Sequence, residues 1–250
     1  MATETDASAL TASSVTSALA VVAHPDVALG AARYFKTGPG EYGEGDVFIG
    51  VRVPVTRQTI KPFAALPLAE AQVLLESPVH EHRLAALLIL VGQFQRASKP
   101  KTFDDSVRTR LFDFYLSAVR QGRVNNWDLV DSSAPTLLGD YLFDRDRSVL
   151  FELAASDILW ERRSAMIATL GLIGRGDAST TLQLAEMLLG DRVDLMQKAV
   201  GWTLREVGKR VDRALLLRFL DAHAAEMGRT ALSYATEHLA PELRAEYRAR

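Results

Sequence analysis

Val193-Asp-Leu-Met-Gln-Lys-Ala-Val-Gly-Trp-Thr-Leu-Arg-Glu-Val-Gly-Lys-Arg210 reads as one amphipathic helix. At about 100° per residue, Met196, Ala199, Val200, Thr203, Leu204 and Val207 cover one side. Lys198, Trp202, Arg205 and Lys209 follow at i, i+4, i+7 and i+11, within about 60° of one another and nearly opposite the apolar side. Tryptophan normally buries its large apolar surface. On a basic stripe it has two readings. It meets a polyanion, with the cations on phosphates and the indole on sugar or base, or it is covered by a neighbouring helix or a long lysine stem.

The same periodicity extends along the chain. Helices are expected near 13–35, 67–76, 79–96, 104–121, 124–139, 146–155, 157–174, 178–190, 193–210, 212–226 and 228–248, with Ser77-Pro78 read as a cap and a first-position proline. Hairpin signals such as Asn-Gly and Asp-Gly are absent. Three segments share a pattern, a basic residue early in the second helix of a pair and then small or apolar residues: Arg83-Leu-Ala-Ala-Leu87, Arg163-Ser-Ala-Met-Ile167 and Lys198-Ala-Val-Gly-Trp202. Helix pairs recurring every ~35–45 residues suggest HEAT-like stacking into a curved solenoid, against an irregular helical bundle. The one long irregular stretch is 37–56.

Composition narrows the chemistry. With 250 residues, 48% hydrophobic and 24% charged, the chain is globular rather than disordered. It has no cysteine, which excludes disulfides, thiolate nucleophiles and cysteine-held metals. The longest apolar run, Leu84–Val91, is far short of the ~20 residues that span a bilayer. Glu4 and Asp6 precede the Ala-rich segment, the wrong charge for an export signal, so a cytoplasmic protein is expected. Net charge is −2, but unevenly placed: residues 1–50 carry −4 and the other 200 carry +2. A short loose leader is expected over 1–12, followed by a single domain over 13–250.

Two further tryptophans also sit beside charges. In Arg123-Val-Asn-Asn-Trp-Asp-Leu-Val-Asp131, Trp127 and Asp131 lie one helical turn apart, and Ala134 and Leu138 continue their row. A carboxylate on that stripe is paired or functionally perturbed, or it caps a helix starting near Ser133. Asp128 is turned away and expected in solvent. Pro135 is expected to break or kink the helix. In Ser156-Asp-Ile-Leu-Trp-Glu-Arg-Arg163, Trp160 precedes two arginines, one expected on the inner surface and the other paired with Glu161 or Asp157. The five histidines make no metal-ligand spacing, and the Gly-rich segment 38–45 carries two glutamates where a phosphate loop needs Gly-Lys-Ser/Thr. No metal and no cofactor are expected.

On these residues the chain resembles the AlkD-like DNA alkylation-repair glycosylases, which are built of HEAT-like helical repeats. The resemblance lies in Ala32-Arg-Tyr-Phe-Lys36, Phe48-Ile-Gly-Val-Arg-Val-Pro54, Trp127-Asp-Leu-Val-Asp-Ser132, Pro135-Thr-Leu-Leu-Gly-Asp140, Trp160-Glu-Arg-Arg163 and Gln197-Lys-Ala-Val-Gly-Trp-Thr-Leu-Arg-Glu206. It implies an all-α fold, a right-handed solenoid of HEAT-like antiparallel helix pairs with a concave DNA-binding face. It also implies excision of cationic N3- or N7-alkylated purines from duplex DNA; a monomer with no membrane partner is expected. The family's carboxylate falls on Asp131, its two aromatics on Trp127 and Trp202, and its phosphate-binding arginine on Arg163. Lys198, Arg205 and Lys209 are then expected on phosphates, and Tyr34 and Arg52 near the lesion. Members of this family act without a base-recognition pocket, and the few aromatics here agree with that. The competing expectation is a non-catalytic helical-repeat module that binds distorted DNA or a protein partner.

Overall fold

The computed structural model describes residues 10–250. Among them are fourteen α-helices and no strand; a lone parallel bridge joins Val47 to Val79. The chain falls into two compact units, 1–133 and 134–250. No single helix among the described residues is long and apolar enough to cross a membrane.

Unit 1 contains α1 (Ala12–Val21), α2 (Pro25–Tyr34), α3 (Val53–Thr59), α4 (Leu68–Leu75), α5 (His80–Ala97), α6 (Asp105–Arg120) and most of α7 (Trp127–Ala134). Of the expected leader, residues 1–9 lie outside the described residues, and Ala12 already belongs to α1, where Thr11 Oγ1 accepts from Ser14 N. The helix expected over 13–35 is two. Pro25 disfavours helical backbone at His24 and suits the first position of α2. α5 begins later than expected: Ser77 Oγ accepts from Val79 N, outside the helix. α5 is buried nearly all round, with Leu84 to Val91 in the core.

Unit 2 contains α8 (Ser148–Ala154), α9 (Leu159–Ile173), α10 (Ser179–Met187), α11 (Asp194–Arg210), α12 (Arg213–His223), α13 (Arg229–Ala235) and α14 (Pro241–Ala249). The expected helix 228–248 is broken because Pro241 starts a new one. α8 packs on α9, α10 on α11, and α11 sits against both α9 and α13. The second helices of successive pairs therefore lie side by side, as the repeat in the sequence expects.

Glycines permit that close approach. A Cβ on Gly201 would lie 2.4 Å from the Ala231 carbonyl oxygen, and one on Gly171 would lie 2.3 Å from that of Pro135. Alanine gains about 1 kcal/mol of helix propensity over glycine, but overpacking against backbone costs about 1–3 kcal/mol. Gly201→Ala is therefore expected to lower stability in urea melts. A more stable variant would show that α11 and α13 separate freely.

Pro135 does not break its helix. Residues 135–140 widen into a π-helical turn and helix resumes at Tyr141. The wider turn accommodates a residue with no N–H to donate.

Candidate functional site

The segment 46–52 is tied to the start of α5. Val47 N donates to Pro78 O at 3.1 Å, and His80 N donates to Val47 O at 2.8 Å. The buried Glu81 carboxylate accepts from the backbone N–H groups of Ile49, Gly50 and Val51. Gly50 has φ +83°, and a Cβ there would lie 2.1 Å from His24 O, so this turn admits only glycine. The two glutamates of the Gly-rich loop cap their own backbone, Glu41 on Gly38 N and Glu44 on Gly40 N.

This anchoring brings Phe48 against a column of rings. Phe48 stacks on His80 at 4.6 Å and on Phe35 at 5.0 Å. Phe35 stacks on Trp127 at 5.2 Å with planes 13° apart, and Tyr34 meets Trp127 edge-on at 5.9 Å. Beneath the rings lies a buried charge network. His80 Nδ1 is 3.1 Å from Asp46 Oδ2, and its Nε2 is 2.8 Å from Asp128 Oδ2. Arg83 Nη2 is 2.5 Å from Asp46 Oδ1, and Asn126 Nδ2 donates to Asp46 Oδ2 at 3.0 Å. Burial by itself would lower the His80 pKa; hydrogen bonds to Asp128 and then Asp46 outweigh it and raise the value to about 9. Both ring nitrogens therefore carry protons at neutral pH. Burial pushes the Asp46 carboxyl up, but the His80 hydrogen bond and the Arg83 charge hold it below the usual range.

Asp128 corrects the sequence reading. It is buried, not solvated, and its Oδ1 has no hydrogen-bond partner. The sequence did not disclose the network because its two carboxylates lie 34 and 48 residues from His80, with no periodic signal. A second omission is an open cavity of about 880 Å³, in the size range of small-ligand sites, walled by Tyr34, Phe35 and Phe48 and bordered by Arg52, His80 and Asp128. Three aromatics suffice because 37–52 folds back onto α2 and α5.

In unit 1, Trp127 opens α7 and is half-buried; Phe35 occupies one indole face, which leaves at most the other for a ligand. Asp131 is half-buried one turn further along, within α7 rather than capping a helix at Ser133. Tyr34 is 67% exposed, and Arg52 is exposed at the start of α3. Tyr34 and Arg52 share the cavity wall.

In unit 2, α11 carries Lys198, Trp202, Arg205 and Lys209 as expected. Trp202 is half-buried and Lys209 exposed. Lys198 pairs with Asp194 at 2.8 Å. Arg205 is held by Glu206 at 3.3 Å and by Glu237. Arg163 is only 4% exposed, and its Nη1 donates to Leu195 O at 2.5 Å, which ties α9 to the first turn of α11. Arg162 pairs with Asp191 at 2.8 Å, rather than with Glu161 or Asp157.

The sequence model of a family described as DNA alkylation repair enzyme matches residues 15–239. Among solved structures, a protein described as a predicted DNA alkylation repair enzyme from Enterococcus faecalis shares the fold, with a TM-score of 0.68. It is 18% identical, and the match covers 88% of this chain and 97% of that one. No curated protein matches the chain.

Proposed function

Starting from a chain that belongs to the DNA alkylation repair enzyme family, we propose that it is a DNA glycosylase that releases cationic N3- or N7-alkylated purines from duplex DNA. The observation that carries the reading is a carboxylate, Asp131, one helical turn from the half-buried Trp127. A DNA-binding module needs cations; a carboxylate repels phosphate, whereas it stabilises positive charge that develops on a reacting sugar. As proposed here, residues 13–250 act as one domain on the duplex, as a monomer, in the cytoplasm, without metal or cofactor.

The chemistry suits a modest set of groups. The alkylated base is cationic, so the C1′–N bond breaks with its electron pair leaving on the base, which becomes neutral. The sugar turns oxocarbenium-like. Asp131 stabilises that cation and orients water, whose oxygen adds to C1′ while its proton passes to the carboxylate or to solvent. Trp127 and Trp202 are assigned to contacts with the DNA, where an indole face attracts an electron-poor sugar. Tyr34 and Arg52 border the lesion, and the cavity beside Phe35 leaves room for a substituent larger than methyl.

Lys198, Arg205 and Lys209 are assigned to phosphates, and the buried Arg163 to holding the start of the helix that carries them. Lys198→Ala is expected to weaken binding and reduce the slope of log affinity against log salt by about one. Equal slopes would remove Lys198 from the DNA contact. Arg163→Ala is expected to weaken binding and also to destabilise unit 2, because its guanidinium holds the Leu195 carbonyl.

The test of the function is incubation of methylated duplex DNA with the protein, followed by alkali cleavage of abasic sites. Strand breaks that depend on Asp131 support excision. Tight binding without breaks would favour the non-catalytic module.

A further inference from the structure

α7 carries Trp127 and Asp131, and the residues on either side of Trp127 both enter the buried network. Asn126 donates to Asp46 at 3.0 Å, and Asp128 accepts from His80 at 2.8 Å. His80 closes the circuit through its bond to Asp46. Asn126 Oδ1 also accepts the Trp127 N–H at 2.8 Å. Phe35 adds a second link, because it packs on His80 at 4.9 Å and on Trp127 at 5.2 Å. We propose that His80 is a positioning residue: by bridging Asp46 and Asp128 it fixes the backbone on both sides of Trp127, and through Phe35 the plane of the indole, and so sets how Trp127 and Asp131 meet the sugar. The proposal rests on the reading that these two residues meet the reacting sugar.

Packing alone does not account for the arrangement. A buried ion-pair network is often replaceable by apolar side chains without loss of stability, and in some proteins its use is to fix one geometry. Here two carboxylates face one imidazolium and one guanidinium, a balanced set in which each bond has a fixed geometry. The other charge beside His80, Glu81, is committed to the backbone of 49–51. His80 therefore answers only to Asp46 and Asp128. Neither carboxylate is near it in sequence, and one of them adjoins Trp127.

His80→Gln and Asp128→Asn keep size and polarity but disturb the bridge; His80→Phe keeps the ring stack and deletes both donors. Each is compared with wild type, at a temperature where thermal melts show all to be folded, in single-turnover excision of 7-methylguanine with protein in excess. Affinity is measured on a duplex bearing a tetrahydrofuran abasic analogue. Emission of Trp127 is read without DNA in a Trp160→Phe, Trp202→Phe background. The expected result is a rate reduced at least tenfold in His80→Gln and His80→Phe, affinity within about threefold of wild type, and a shifted Trp127 emission. A role confined to stability moves neither the rate nor the emission of folded protein. If wild type releases base and the folded His80 variants match its rate, the reaction reading stands and the positioning role is overturned. If wild type releases no base, the reaction reading falls, and an unshifted Trp127 emission separately overturns the coupling of His80 to the indole.

Discussion

Asp131→Asn is expected to reduce single-turnover base release at least about 100-fold while leaving DNA affinity unchanged or slightly raised. A loss of that size corresponds to about 2.7 kcal/mol of transition-state stabilisation. It is the scale on which one well-placed electrostatic group acts in a partly desolvated site. The substitution keeps shape and volume and replaces the charged carboxylate with a neutral amide, and the ring contacts of α7 lie at Trp127, not at Asp131. Affinity is expected not to fall, because a carboxylate near the phosphates of a bound duplex would be repelled by them in the ground state. Separate assays of excision and binding distinguish the two effects. Excision unchanged in the variant would remove Asp131 from the chemistry, and equal losses of both would make it a binding residue.

His80→Ala is expected to destabilise unit 1 by about 3–5 kcal/mol, the usual consequence of leaving buried charges without their partner. Here two carboxylates lose a common donor, and Asp128 Oδ1 already lacks one. The pH dependence provides a signature. The His80 pKa is raised from its ordinary 6.5 to about 9 on folding. A raised cation pKa stabilises the folded state fully below about 6.5, and the effect is lost as pH climbs through 9. A difference of that size is worth about 3 kcal/mol. Urea melts of wild type and His80→Phe at pH 6.5 and 9.5 isolate it: the gap between the proteins should narrow at the higher pH. A gap independent of pH would show that the histidine is neutral when folded.

What the sequence disclosed depended on range. Helix α11 was legible to within a residue, because Met196 to Val207 repeat with a helical period and nothing distant interrupts them. The side-by-side second helices of unit 2 follow from the recurring basic residue and the small residues after it, and Gly201 shows their steric purpose. Local chemistry was misread where backbone detail decides. Pro25 divides a helix that periodicity joins, and Pro135 is absorbed in a widened turn instead of breaking one. The placement of Trp127 and Asp131 one turn apart on a single helix was legible from their spacing. Its surroundings were not. Asp128 looked solvated because helical geometry turns it from Asp131, yet it meets His80 from 48 residues away. Arg205 looked like an open cation, although Glu237, 32 residues on, holds it. Contacts of that separation leave no trace in periodicity.

As proposed, this protein breaks N-glycosidic bonds. The most direct test is chromatographic release of free base from a duplex carrying a single N7-methylguanine, with protein in excess and spontaneous depurination as the control. Release well above the spontaneous rate is expected from the wild-type protein, and near that rate from Asp131→Asn. Release no faster than the protein-free control, from a duplex shown to be bound, would contradict it.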